Sequence, residues 1–252
     1  ETDRLAGGLQ VGLGLRRLQL SSGIEYRNDD VQQLDLSQVE RTTWLFRNNL
    51  KYEMGPSGRI LGKLNHSLSE STEGAFYDGG FTEAVLGYAY RPVRNDRLNS
   101  LVKYTYFYNV PTTGQVTMQN QAAEFVQKSH IAAVDLTYDL FPWLTIGGKY
   151  AYRQSQVSLE RENPEFFANN AHLYVLRSDV RFWQQWELLV ESRLLDMPDL
   201  GEHRLGALTA ISRYLGDNLK IGLGYNFADF SDDLTDLNYD HQGVFLNLTG
   251  GM

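Results

Sequence analysis

Apolar and polar residues alternate with a period of two along nearly the whole chain, and this restricts it to long β-strands with one apolar and one polar face. Leu144, Ile146, Gly148, Tyr150 and Tyr152 alternate with Thr145, Gly147, Lys149, Ala151 and Arg153. Leu219, Ile221, Leu223, Tyr225 and Phe227 alternate with Lys220, Gly222, Gly224 and Asn226, and Trp44, Phe46, Leu50 and Tyr52 alternate with Arg47, Asn49, Lys51 and Glu53. The pattern predicts strands at 17–28, 41–53, 59–70, 80–91, 98–109, 128–140, 143–156, 171–183, 186–196, 203–215, 219–228 and 242–250. Lengths of roughly ten to fourteen residues exceed the usual globular strand of about five or six and suit a tilted strand that crosses a bilayer.

The connections supply the next constraint. Short turns are expected at Gly55-Pro56-Ser57-Gly58, Val93 to Arg97, Phe141-Pro142, Gln184-Gln185 and Gly216-Asp217-Asn218, with longer segments between them at 29–40, 71–79, 110–127, 157–170, 197–202 and 229–241. Short turns at one end and long loops at the other are the asymmetry of outer-membrane barrels, with the short turns in the periplasm and the long loops outside. Counted this way, both chain ends fall on the short-turn side, which requires an even number of strands. The expected fold is therefore all-β: a closed antiparallel up-and-down transmembrane β-barrel of about twelve strands. It would occupy residues 17–252. For residues 1–16, rich in glycine at Gly7, Gly8, Gly12 and Gly14, three roles stay open: an extension of the first strand, a segment in the lumen, or the end of a linker.

A soluble sandwich or lipocalin-like barrel also alternates, with its apolar face turned inward. Two features argue for the membrane. Charges stand deep inside strands, as at Arg177, Asp179 and Arg181 and at Glu187, Glu191 and Arg193. Aromatics gather at strand ends, Tyr88 and Tyr90 near a short turn and Tyr104, Tyr106 and Tyr108 near a long loop, where two interfacial girdles would sit. No run of apolar residues is long enough for a membrane helix, and a barrel needs none, because only every second side chain meets lipid.

The net charge of −8 over 252 residues argues against a nucleic-acid partner, and the lack of cysteine removes disulfides and thiolate metal sites. The polar face is the surface that carries charge: Arg47, Lys51, Lys149, Arg153, Arg177, Asp179, Arg181, Glu187, Glu191 and Arg193 form an expected lumen network. In a narrow interior such groups satisfy one another across the lumen, or they line a channel with an anion preference. Asp229, Asp232, Asp233, Asp236 and Asp240, and Glu160, Glu162 and Glu165, read as solvated acidic loops without the glycine-containing loop of a calcium site. The histidines at 66, 130, 172, 203 and 241 have no metal-ligand spacing, and Ser67 on an alternating strand points away from His66. No catalytic residue, metal or cofactor is expected.

The end of the chain reads His241-Gln242-Gly243-Val244-Phe245-Leu246-Asn247-Leu248. It resembles the C-terminal β-signal of Gram-negative outer-membrane proteins, which implies that His241, Gly243, Leu246 and Leu248 are read by the barrel-assembly machinery. The usual terminal aromatic is absent, since the chain ends Gly250-Gly251-Met252. The tract from Tyr225 to Asp236, with Phe76-Tyr77-Asp78-Gly79 and Asn163-Pro164-Glu165-Phe166-Phe167, is similar to barrel domains at the C-terminus of very large Gram-negative surface proteins. That resemblance implies a bacterial outer-membrane location, contact with lipid and lipopolysaccharide, and anchoring of a larger exported part of the same polypeptide. A stand-alone, narrow, porin-like channel for anionic or acidic solutes is the alternative.

Overall fold

Alternation becomes sheet throughout. The computed structural model describes residues 2–32, 38–72, 78–110, 126–160, 163–183, 185–216, 219–235 and 242–250. Its strands are β1 (Thr2–Gly14), β2 (Leu18–Gln32), β3 (Gln38–Met54), β4 (Gly58–Ser71), β5 (Gly79–Tyr90), β6 (Leu98–Val110), β7 (Val126–Phe141), β8 (Leu144–Ser158), β9 (Phe167–Ala168), β10 (Ala171–Phe182), β11 (Trp186–Met197), β12 (Glu202–Leu215), β13 (Leu219–Asn226) and β14 (Gly243–Gly250). Each long strand is hydrogen-bonded to its neighbours in chain order, and the two-residue β9 sits beside the path, paired with β8. The path is linear and has β1 and β14 as its ends.

Among the described residues all twelve expected strands are present, and β1 is a thirteenth long one. Residues 2–14 pair along their whole length with β2, from Thr2 opposite Val31 to Gly14 opposite Gln19. Leu5, Leu9, Val11 and Leu13 share one parity, so β1 carries an apolar face, with Gly7 as one gap in it and Gly8, Gly12 and Gly14 on the other face. The extra strand changes where the chain ends lie. Thr2 is at the long-connection end of β2, whereas Gly250, opposite Leu219, is at the short-turn end of β13. The expectation that both ends share the short-turn side is corrected accordingly. A second correction concerns 197–202. Pro198 to Gly201 make a tight turn closed by Leu200 N to Met197 O at 3.1 Å, with Gly201 at a φ of 64° that a side chain would disfavour.

The chain divides into two compact units, residues 1–88, 103–130 and 154–169, and residues 89–102, 131–153 and 170–252. In the first, Leu9, Ile24 and Phe46 follow one another across β1, β2 and β3 on one face, flanked by Trp44, Leu50 and Leu68. In the second, Tyr174, Leu176, Val190, Leu205, Ile211, Leu223 and Leu246 lie on the corresponding face. These are the exposed side chains: Leu9 is 67% accessible, Leu176 61% and Leu246 74%, while Glu187 on the opposite face is 6% accessible. A water-soluble β domain has the reverse arrangement. Leucines, valines and tyrosines facing outward along whole strands require hydrocarbon around them. Arginine at Leu176, midway along β10, is therefore expected to cost about 2–4 kcal/mol. Arg177→Gln, on the polar face, is expected to cost about 1 kcal/mol or less. Urea midpoints of the two variants in lipid vesicles check the difference.

Candidate functional site: the polar face and the segment folded onto it

Side chains two residues apart on a strand share a face, so charges at that spacing meet without help from the rest of the fold. In the first unit Glu25 accepts from Arg27 at 2.5 Å and faces Arg47 at 3.4 Å. Arg4 of β1 pairs with Asp29 at 2.6 Å, and Glu53 lies between Lys51 at 3.9 Å and Arg59 at 3.5 Å. Glu83 takes Lys63 at 2.8 Å and the Asn65 amide at 3.1 Å. Hydroxyl pairs continue the same face, Thr43 with Ser69 at 2.8 Å and Ser129 with Ser155 at 2.9 Å.

In the second unit Arg177 donates twice to Asp179, at 2.8 and 2.9 Å, and Arg193 donates to Glu191 at 2.5 Å. Glu187 is the hub. It receives Lys220 at 2.5 Å and the Tyr214 hydroxyl at 2.8 Å, and Arg181 stands 3.6 Å away. Arg181 and Glu187 are direct cross-strand partners in the β10–β11 hairpin, and Lys220 arrives from β13, two strands beyond. A carboxylate this buried is tolerated because its oxygens are hydrogen-bonded and a cation is in contact.

The polar face of the second unit also holds an apolar cluster. Ile131, Ala133, Ala151, Ala171, Leu173, Val175, Leu195 and Met197 come from β7, β8, β10 and β11. Ala228, Phe230 and Leu234, from the connection after β13, complete it, and each of these three is at most 1% accessible. The connection turns back over the sheet through side-chain-to-backbone bonds: Ala228 N to Asn226 Oδ1, Asp233 N to Ser231 Oγ, and Thr235 N to Asp233 Oδ1. Gly206 of β12 makes room for it, since a Cβ there would lie 2.5 Å from the Ala228 Cβ. Three expected network members hold the segment's backbone. Lys149 donates to the Asp232 carbonyl, Arg153 Nη1 to Leu234 O at 3.2 Å, and Arg193 Nη1 to Phe230 O at 3.4 Å.

The acidic loop is thus corrected in part. Asp229 and Asp232 are exposed, but Ala228, Phe230 and Leu234 between them are buried against the sheet. Asp236, Asp240, Glu162 and His241 lie outside the described residues. The signal in the sequence was the parity of β10 and β11. Leu173, Val175, Leu195 and Met197 are apolar on the face that otherwise carries Arg177, Asp179 and Glu191, so something apolar had to cover them.

At the chain end, Leu246 and Leu248 share the apolar face opposite Leu223 and Ile221. Gly243 begins β14, and a Cβ there would meet nothing within 4 Å. Its φ is 156°, a backbone conformation that side-chain-bearing residues rarely adopt. Close approach occurs at Gly224, where a Cβ would run into the Phe245 ring. His66, His130, His172 and His203 all lie on the apolar face; His66 bonds Thr82 at 2.9 Å and is turned away from Ser67.

No family model matches this chain, and no curated protein sequence does. Solved structures match it. The siderophore receptor PirA of Pseudomonas aeruginosa superposes with a TM-score of 0.61 at 11% identity, over 89% of this chain and 41% of that one. PirA of Acinetobacter baumannii gives 0.62 at 8% identity, over 89% and 40%. The copper transporter OprC gives 0.51 at 14%, over 89% and 44%. The fold is that of an outer-membrane β-barrel. Together with the lipid-facing leucines it places the chain in a bacterial outer membrane. The chain spans about two fifths of the length of the structures it matches, and at these identities the likeness is one of fold.

Proposed function

We propose that the chain is the wall of a closed outer-membrane β-barrel that anchors a larger surface polypeptide, and that its role is mechanical rather than catalytic. The observation that carries this reading is the segment 228–234 laid on the polar face and held there by Lys149, Arg153 and Arg193. A pore wall keeps its polar face wet and open. Here part of that face, in the second unit, is covered by the buried Ala228, Phe230 and Leu234, and ion pairs run along it within and between nearby strands. Outer-membrane lipid, lipopolysaccharide and the barrel-assembly machinery are the partners of this reading, the last through the outward face of β14.

Planar-bilayer recording on detergent-purified protein tests it. The unmodified protein is expected to show no steady conductance, and Arg181→Gln with Glu187→Gln is expected to produce small openings by loosening the hub. Steady, anion-preferring conductance in the unmodified protein would instead establish the stand-alone channel. The membrane reading has its own check: the protein should need detergent and run at a heat-modifiable position on a gel.

A further inference from the structure

On the apolar face of the first unit, at the long-connection end, three aromatic rings, an imidazole and a lysine ammonium come together. The Tyr104 hydroxyl and His130 Nδ1 are 2.7 Å apart, and the Tyr106 ring centroid lies 5.2 Å from that of His130. Two residues before His130 on the same face of β7, the Lys128 ammonium sits 4.3 Å from the centre of the Phe166 ring. Among the described residues Lys128 has no carboxylate partner.

The second unit repeats the layout without the lysine. Tyr150 bonds His172 at 3.0 Å, with Tyr152 and Tyr174 beside them. Tyrosine rings of this kind are the girdle of a membrane–water interface, with the ring in acyl chain and the hydroxyl among headgroups. An ammonium on a lipid-facing strand at that height is partly shielded from water, and among the described residues no carboxylate pairs with it. It rests on a ring face, which attracts a cation through the ring's quadrupole and leaves its N–H donors available. The neighbouring imidazole and phenol add neutral donors.

We infer that Lys128, His130, Tyr104, Tyr106 and Phe166 form a binding site for the phosphate of a glycolipid headgroup in the outer leaflet. Lys128 supplies the charge, His130 and Tyr104 supply hydrogen bonds, and Tyr106 and Phe166 pack on the sugar and the first methylenes. The leaflet is fixed by geometry, since the site lies at the end that carries the long connections, which face the cell exterior. The assignment rests on the outer-membrane reading and names the lipid partner's contact on this chain.

The experiment titrates the full chain in dodecyl maltoside micelles with bisphosphorylated lipid A, with enzymatically dephosphorylated lipid A and with phosphatidylethanolamine, and counts retained lipid by native mass spectrometry. Bisphosphorylated lipid A should bind at least about tenfold more tightly than the dephosphorylated form, the scale of one charge-assisted contact. Lys128→Gln should erase the difference, His130→Gln should reduce it, and Lys128→Arg should keep it. Equal binding of the two lipid A forms to the unmodified chain overturns the site whatever the variants do, as does a Lys128→Gln chain that still discriminates. Heat modifiability is recorded on each sample. Its presence with no lipid discrimination rejects this site alone, and its absence in the unmodified chain rejects the outer-membrane reading itself.

Discussion

Replacing Leu246 and Leu248 together with aspartate is expected to remove the heat-modifiable protein from the outer membrane of expressing cells. Both side chains stand on the apolar face of β14, 74% and 65% accessible, opposite Leu223 and Ile221. Each carboxylate placed at membrane depth costs on the order of 2 kcal/mol. Two of them consume a large share of a typical stability of about 5–15 kcal/mol. The same substitutions erase the alternate hydrophobics through which a β-signal would be read. Asn247→Asp is the matched control, because Asn247 lies opposite Gly222 on the polar face, and it should assemble. Normal assembly of the double variant would mean that this face of β14 is neither lipid-facing nor a signal.

Phe230→Ala is the second large effect expected, at about 3–5 kcal/mol for a fully buried ring. It should act by releasing the segment rather than by unfolding the sheet. The chain has no cysteine, so a single Ala228→Cys reports directly. Ala228 is completely buried, and the thiol should resist a water-soluble maleimide in an otherwise unmodified chain. With Phe230→Ala added it should react readily while heat modifiability persists. Gly206→Val should give the same exposure from the sheet side, because its Cβ would meet that of Ala228. A thiol that labels equally fast in all three backgrounds would show that the segment is not held on the polar face.

What was legible from the residues follows from the range over which each interaction acts. Strand positions are written locally, because a membrane-facing strand must show an apolar side chain at every second residue. β1 obeys the rule through Leu5, Leu9, Val11 and Leu13, and it was obscured only by glycines that a helix or a soluble strand would not carry. The Arg181–Glu187 contact was equally legible, since a tight hairpin between β10 and β11 fixes its register. The contact of Lys220 with Glu187 was not, because it skips β12 and depends on how three strands stand together. The burial of Phe230 and Leu234 depends on side chains from four strands, and only the misplaced parity of Leu173, Val175, Leu195 and Met197 hinted at it. Residue spacing along one strand says nothing about which connection folds back over it.

The within-strand ion pairs have a consequence for how such a wall is made. Arg27 with Glu25, Arg177 with Asp179 and Arg193 with Glu191 are partners two residues apart on one strand, and Arg181 with Glu187 are partners across one hairpin. The strands and hairpin that carry these pairs reach the bilayer with those charges already answered, whereas the pairs of Lys149 with Asp232 and of Lys220 with Glu187 form only when later segments arrive. A sheet with these partners can be laid down in chain order, with the electrostatic cost of these particular charges settled locally before the next strand arrives.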